Sequence, residues 1–231
     1  MQAGILGEVQ GDFEDPQSFH QTHHQDGTTF TRSFQIRQND HLESGIPVYQ
    51  GEAAIEVVDE SQTVQIDEES GNISVTSAPE RRGKYTRFII IPDNIMVVAS
   101  SDGDFAFDLL SEAVPSAGVL QSKLDLNSFA EDYYSADGVD PWQVGFFGNI
   151  GQAEKGIVYG EDVFNDSEMG DLLERSEVNQ LGLEYEFRGE TVKMTSARSG
   201  YVEVYNPSNW DYTEYAQYLS DEISKYTTTR I

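Results

Sequence analysis

Arg87-Phe88-Ile89-Ile90-Ile91-Pro92-Asp93-Asn94-Ile95-Met96-Val97-Val98-Ala99 is the stretch that decides the fold. Two nearly continuous apolar runs flank Pro92-Asp93-Asn94, a triplet suited to reversing the chain. Each run is too short for a helix, and unbroken apolarity in place of alternation marks strands covered on both faces. The stretch is therefore expected to be a hairpin at the centre of the core.

Toward the C-terminus the pattern alternates between strands and short helices. Asp102 or Asp104 can cap a helix that presents Phe105, Leu109, Leu110 and Ala113, and Pro115 and Gly118 stop it. A strand is expected at 119–126, and Asn127 can cap a short helix presenting Phe129, Ala130 and Tyr133. Residues 144–147 and 156–159 suggest another hairpin, followed by a helix from about Asp166 with Met169, Leu172 and Leu173 inward. A hairpin followed by a helix thus occurs twice, so 87–114 and 142–175 read as tandem ββα units. Leu181, Leu183, Tyr185 and Phe187 then alternate with polar residues, Arg188-Gly189-Glu190 turns the chain into Val192 and Met194, and residues 201–205 complete a meander. In the last segment Tyr212, Tyr215, Ala216, Leu219, Ile223 and Tyr226 form a stripe with helical period.

Toward the N-terminus, residues 1–84 read as β with long polar loops. Phe30, Phe34 and Ile36 lie opposite Thr31, Ser33 and Gln35, the period of a half-buried strand. Further strands are expected at 48–58, 63–66 and 73–76, the last two joined by a turn at Ser70-Gly71-Asn72. The sum is an α+β protein. A β-rich region spans 1–84, and 85–231 forms a mainly antiparallel sheet with helices packed on one face.

Composition limits the chemistry. The chain has 231 residues, with 41 Asp and Glu against 14 Lys and Arg, a formal charge of -27 and no cysteine. Disulfides, thiolate nucleophiles and thiolate metal sites are excluded. No apolar stretch approaches the roughly 20 residues of a spanning helix, and the opening residues lack the basic and apolar regions of a signal peptide. The expected location is the cytoplasm, or the virion if a virus encodes the chain, with no membrane partner. At 11% aromatic residues the chain is too rich in ring side chains for an acidic disordered segment. Its acids are also spread out, 15 in residues 1–80 and 26 in residues 81–231. Abundant acid, 9 Arg against 5 Lys and no cysteine resemble the composition of proteins from halophilic archaea and their viruses. That resemblance implies a surface for concentrated salt, where a Debye length of about 3 Å screens self-repulsion, and carries no fold or activity.

Three constellations could hold chemistry. His20, His23 and His24, with Asp26 close behind, are metal-ligand types, but Pro16, Gly27 and the threonines argue for a solvated polar loop or turn. They do not form H-E-x-x-H, so no general base is built in. Arg81, Arg82, Lys84, Tyr85 and Arg87 invert the local charge, and arginine forks beside an aromatic ring suit phosphates or stacked bases. The plainer reading is that they neutralise neighbouring carboxylates. The run from Asp102 to Asp108 fails as a calcium loop, because Phe107 and Ala113 stand where glycine and glutamate are needed. Among the late aromatics, Tyr218 lies off the helical stripe and, with Trp210, is the candidate for a protein interface.

The sequence thus favours a non-enzymatic binding or assembly protein of a halophilic archaeon or its virus, with a protein partner or oligomer expected. Nucleic acid or phosphate is a further candidate at 81–87. The enzymatic rival is a metal-dependent hydrolase or nuclease using His20, His23, His24 and Asp26. The third reading is an acidic mimic of DNA. No cofactor is expected beyond a metal at the histidines.

Overall fold

The structure, a computed structural model, describes residues 1–25, 28–134, 138–150, 153–161, 163 and 176–229. The first half supplies strands β1 (Ala3–Gly11), β2 (Phe19–Gln25), β3 (Thr28–His41), β4 (Pro47–Ile66), β5 (Ile73–Ile90), β6 (Ile95–Val98) and β7 (Ala117–Leu124). The second supplies β8 (Asp140–Ile150), β9 (Ala153–Tyr159), β10 (Glu177–Phe187), β11 (Glu190–Ala197), β12 (Tyr201–Asn206) and β13 (Thr227–Thr229). They form a 13-stranded sheet in the order β2-β3-β4-β5-β6-β1-β12-β11-β10-β8-β9, with β7 joining β1 and β13 off this path. Among the described residues three short helices accompany it: α1 (Phe105–Ala113), α2 (Leu126–Tyr134) and α3 (Tyr212–Tyr218).

The α+β expectation with helices on one face is overturned. The molecule is predominantly antiparallel sheet, and its helices lie on opposite faces. On one face α1 packs Phe107, Leu109 and Leu110 against Ile5, Phe34, Phe88 and Ile90. On the other, α2 and α3 pack Phe129, Tyr215 and Ala216 in a cluster with Leu6, Ile89 and Ile91. Each strand of the 87–99 hairpin is therefore covered twice, as its unbroken apolarity requires. Phe88 pairs with Val98 and Ile90 with Met96, and Asp93 turns the chain at φ 54°.

The first strand joins the two halves. Residues 5–8 of β1 pair with β6, residues 3–5 pair with β12, and residues 7–11 pair with β7. The expected boundary at residue 84 falls inside β5, which is continuous from Ile73 to Ile90. The two hairpins of the expected ββα units are present as β5–β6 and β8–β9. The second unit's helix, from about Asp166, lies outside the described residues.

The cap of α2 is Asp125, two residues earlier than Asn127. Its Oδ1 accepts from the Ser128 backbone N–H at 3.1 Å, while Asn127 Oδ1 accepts from the Val178 N–H at 3.1 Å. Asp104 precedes α1 without making a capping bond.

Candidate contact surface on a free hairpin

Hairpin β4–β5 runs far beyond the sheet it belongs to. Its two strands pair without a register break from Tyr49 and Ile90 to Ile66 and Ile73. β3 accompanies β4 only as far as Ile55, opposite Arg32, and β6 accompanies β5 only to Phe88. Beyond these points neither edge has a strand neighbour among the described residues. From Val57 and Arg82 to the tip there are ten residue pairs, about 30 Å at the ~3.3 Å rise of a strand. The sequence reading had split β4 into two strands. The actual strand runs through Asp59, half-buried, and Glu60, exposed, in unbroken register with β5.

The tip is closed by local bonds. Asp67 Oδ1 accepts from the Ser70 N–H and hydroxyl, each at 2.7 Å, and the Asp67 N–H donates to the Asn72 carbonyl at 2.8 Å. Those donors, led by the Ser70 hydroxyl, hold the Asp67 carboxyl below its ordinary pKa. Gly71 sits at φ +70°, which explains the glycine at that place in the turn.

Every residue of β5 from Ile73 to Tyr85 is exposed. Strand alternation places Val64, Ile66, Ile73 and Val75 on one face of the tip, and they are 56–68% exposed. Four β-branched side chains in water at the end of an unsupported ribbon are a surface with something left to bury.

The basic residues lie at the root of this hairpin and divide between its faces. Arg81, Tyr85 and Arg87 share one face, and Arg82 and Lys84 the other. Arg81 binds the Glu56 carboxylate, Arg82 lies 3.4 Å from Glu80, and the Tyr85 hydroxyl donates to Glu52 at 3.1 Å. Arg37 also reaches Glu52, at 3.0 Å. Glu56 accepts from Arg81 and from the Thr31 N–H, which together depress its pKa. Carboxylates of the same ribbon thus already engage Arg81, Arg82 and Tyr85.

Where β3 leaves β4, a cleft of about 620 Å³ opens at the hairpin's root. Phe30, Ile55, Val57, Phe105 and Leu109 form its apolar walls. Arg32 lines the same cleft and is tied to Glu112 at 2.5 Å. This cleft and the unpaired edges leave no motif in the sequence; only the length of the β-prone runs at 48–66 and 73–90 hinted at them.

The histidines lie in a strand, contrary to the loop expected for them. In β2, His20 pairs with Ser33, His23 with Phe30 and His24 with Thr29. Alternation turns His20 and His24 to one face and His23 to the other. The His23 ring stacks on Phe30 at 5.4 Å, and His24 Nδ1 lies 2.9 Å from the Thr29 hydroxyl. Asp26 lies outside the described residues. Among the described residues no group of three or more His, Asp or Glu side chains converges as a metal site.

Both residues proposed for a protein interface are inside. Tyr218 is fully buried, and its hydroxyl meets that of Tyr185 at 2.8 Å. Trp210 is 7% exposed and donates its indole N–H to Glu190 at 2.8 Å. The helical stripe implied a free side to α3, but Phe187 and Trp210 pack on Tyr218 with ring centroids 5.4 and 5.5 Å away, and the chain after β3 covers Gln217, whose Oε1 accepts from the Glu43 N–H at 2.9 Å.

No helix among the described residues is long and apolar enough to cross a membrane. No protein-family model matches the chain, and no curated protein matches it closely enough to count as a relative.

Proposed function

We propose that this is a non-enzymatic binding or assembly protein, of a halophilic archaeon or its virus, and that hairpin β4–β5 is its contact element. The observation that carries the reading is a ribbon with about ten unsupported residue pairs and an apolar tip. A two-stranded ribbon is marginal in water by itself, so a long one with both edges open gains stability when a partner covers it. The cations at its root support protein contact over nucleic acid, because Arg81, Arg82 and Tyr85 are already held by carboxylates of the same sheet. Exposed acids occur on α1, at Asp108, and on α2, at Glu131 and Asp132, on opposite sides of the sheet. That distribution supports a coat for concentrated salt over a one-sided DNA mimic.

The test removes the hairpin and keeps the body. Residues 60–79 are replaced by an Asn-Gly turn joining Asp59 to Glu80, a hydrogen-bonded pair already in register. The shortened protein is expected to melt within a few degrees of the parent in molar KCl. Complexes isolated from producing cells at that salt should lose a component that the parent retains. Identical complexes from both proteins would remove the hairpin from the function.

A further inference from the structure

The two edges of the hairpin are not equivalent, and the difference identifies a partner. Natural sheets protect an open edge with proline, glycine-induced irregularity or clustered charge. The free edge of β5 has two of these, in Pro79 and the cations Arg81, Arg82 and Lys84. The free edge of β4, from Glu56 to Ile66, contains no proline or glycine and ends in Thr63-Val64-Gln65-Ile66. Its three carboxylates, Glu56, Asp59 and Glu60, lie in the inner half, and the outer half from Ser61 to Ile66 carries no charge, so it remains a template some eleven residues long.

Its hydrogen-bonding phase follows from the tip. The Asp67 N–H bonds to the Asn72 carbonyl, so in an antiparallel ladder the odd residues of β4 bond across to β5. The even residues, Glu56 to Ile66, then direct their N–H and C=O groups outward. Pro79 lies opposite Glu60, in the outward-facing set of β5, where it deletes a donor from that edge.

We infer that the occupant of the β4 edge is the β4 edge of a second copy, paired antiparallel about a two-fold axis at Ser61, making one four-stranded ribbon from two hairpins. This rests on the hairpin being the contact element. The edge is self-complementary in this register. Outward-facing residues meet outward-facing residues, Val58 opposite Val64 of the other copy and Glu60 opposite Gln62. Asp59 falls opposite Thr63, so no two carboxylates are directly apposed. A shift of the axis to midway between Asp59 and Glu60 would oppose those two acids and also mismatch the hydrogen-bonding phase. The same arrangement brings the tip of each hairpin, with Ile66 and Ile73, to the place where β3 leaves β4 on the other copy. Ile66 then falls opposite Glu56, on the face of the ribbon away from Ile55 and Val57 of the cleft. The open edge is thus filled by one reciprocal contact that closes on itself.

The test uses the full chain in molar KCl. Light scattering over a wide concentration range should show the parent passing from one chain mass to two. Gln62→Pro removes an outward N–H from the β4 edge, and Ser77→Pro removes its counterpart from the β5 edge. The first is expected to weaken association at least tenfold and the second to leave it unchanged. Because the protein has no cysteine, single cysteines report the axis directly. In Ser61→Cys the two thiols lie across a non-hydrogen-bonded pair with Cα atoms about 4.5 Å apart, within disulfide range. In Ala78→Cys they are separated by about three strand spacings, roughly 14 Å. Oxidation should therefore give a covalent dimer from Ser61→Cys and not from Ala78→Cys.

A parent that stays monomeric at every concentration overturns the inference. So does a dimer that survives Gln62→Pro, or equal crosslinking at both positions. If both proline variants dissociate, the cysteine pair decides. A monomeric parent whose shortened form still loses a bound component would mean that another protein's strand occupies the edge. The hairpin would then keep its function while the self-pairing falls.

Discussion

At the scale of single residues, the tyrosines carry the most informative chemistry. Burial, followed by the neighbouring Tyr218, pushes the Tyr185 phenol far above its ordinary value, and burial does the same to Tyr215 and Tyr218. Tyr49 is pushed up to about 12, first by burial and then by its 2.5 Å hydrogen bond to Asp15. These phenols are neutral in the folded chain and ionise near 10 when unfolded. Their contribution to stability is therefore complete below about pH 10 and is lost as pH rises through the elevated folded values. A spectrophotometric titration should show only part of the 12 tyrosines ionising reversibly near pH 10, with the rest ionising as near-ultraviolet dichroism collapses. A single transition of all phenols near pH 10, with dichroism intact, would contradict this packing. The spacing of Tyr215 and Tyr226 already placed them inward. Tyr218 could not be read in that way, because the rings that enclose it, Tyr185 and Phe187 of β10 and Trp210, come from outside the helix.

At the scale of elements, α3 shows how local signals and docking divide the work. Asp211 accepts from the N–H groups of Thr213 and Glu214 at 2.8 and 2.9 Å, while Glu214 accepts from the Asp211 N–H at 2.7 Å. This reciprocal cap is local chemistry. Asp211→Ala should lower stability by about 1 kcal/mol, read as a shift in urea midpoint at fixed salt with the slope unchanged. A helix of 7 residues is too short to persist alone, so its place depends on Tyr215, Ala216 and Tyr218 entering the core. Hairpin β4–β5 is the opposite case. Its pairing is local, its turn is written in Asp67, Ser70 and Gly71, and its outer half has no tertiary support. The sequence therefore signalled its strands and turn, but not that they form a single uninterrupted ribbon.

For the molecule as a whole, 41 acidic residues against 14 basic ones must be held together at short range. Screening at molar salt reduces the Debye length to about 3 Å, compared with about 10 Å at 0.1 M. The urea midpoint should therefore rise steeply from dilute buffer to molar KCl, and a midpoint independent of salt would dismiss the salt-coat reading. The sequence by itself determined the paired strands at 87–99 and the meander at 181–205, because burial of alternate or successive residues is recorded directly in local hydrophobic period. It also determined the absence of cysteine chemistry. Only the tertiary structure decided that β1 lies mid-sheet, that the helices divide between two faces, that β2 separates its histidines, and that one edge of β4 is left open. Strand neighbours are chosen by backbone hydrogen bonds, which every residue type offers alike, so which strand lies beside which leaves little trace in the order of side chains.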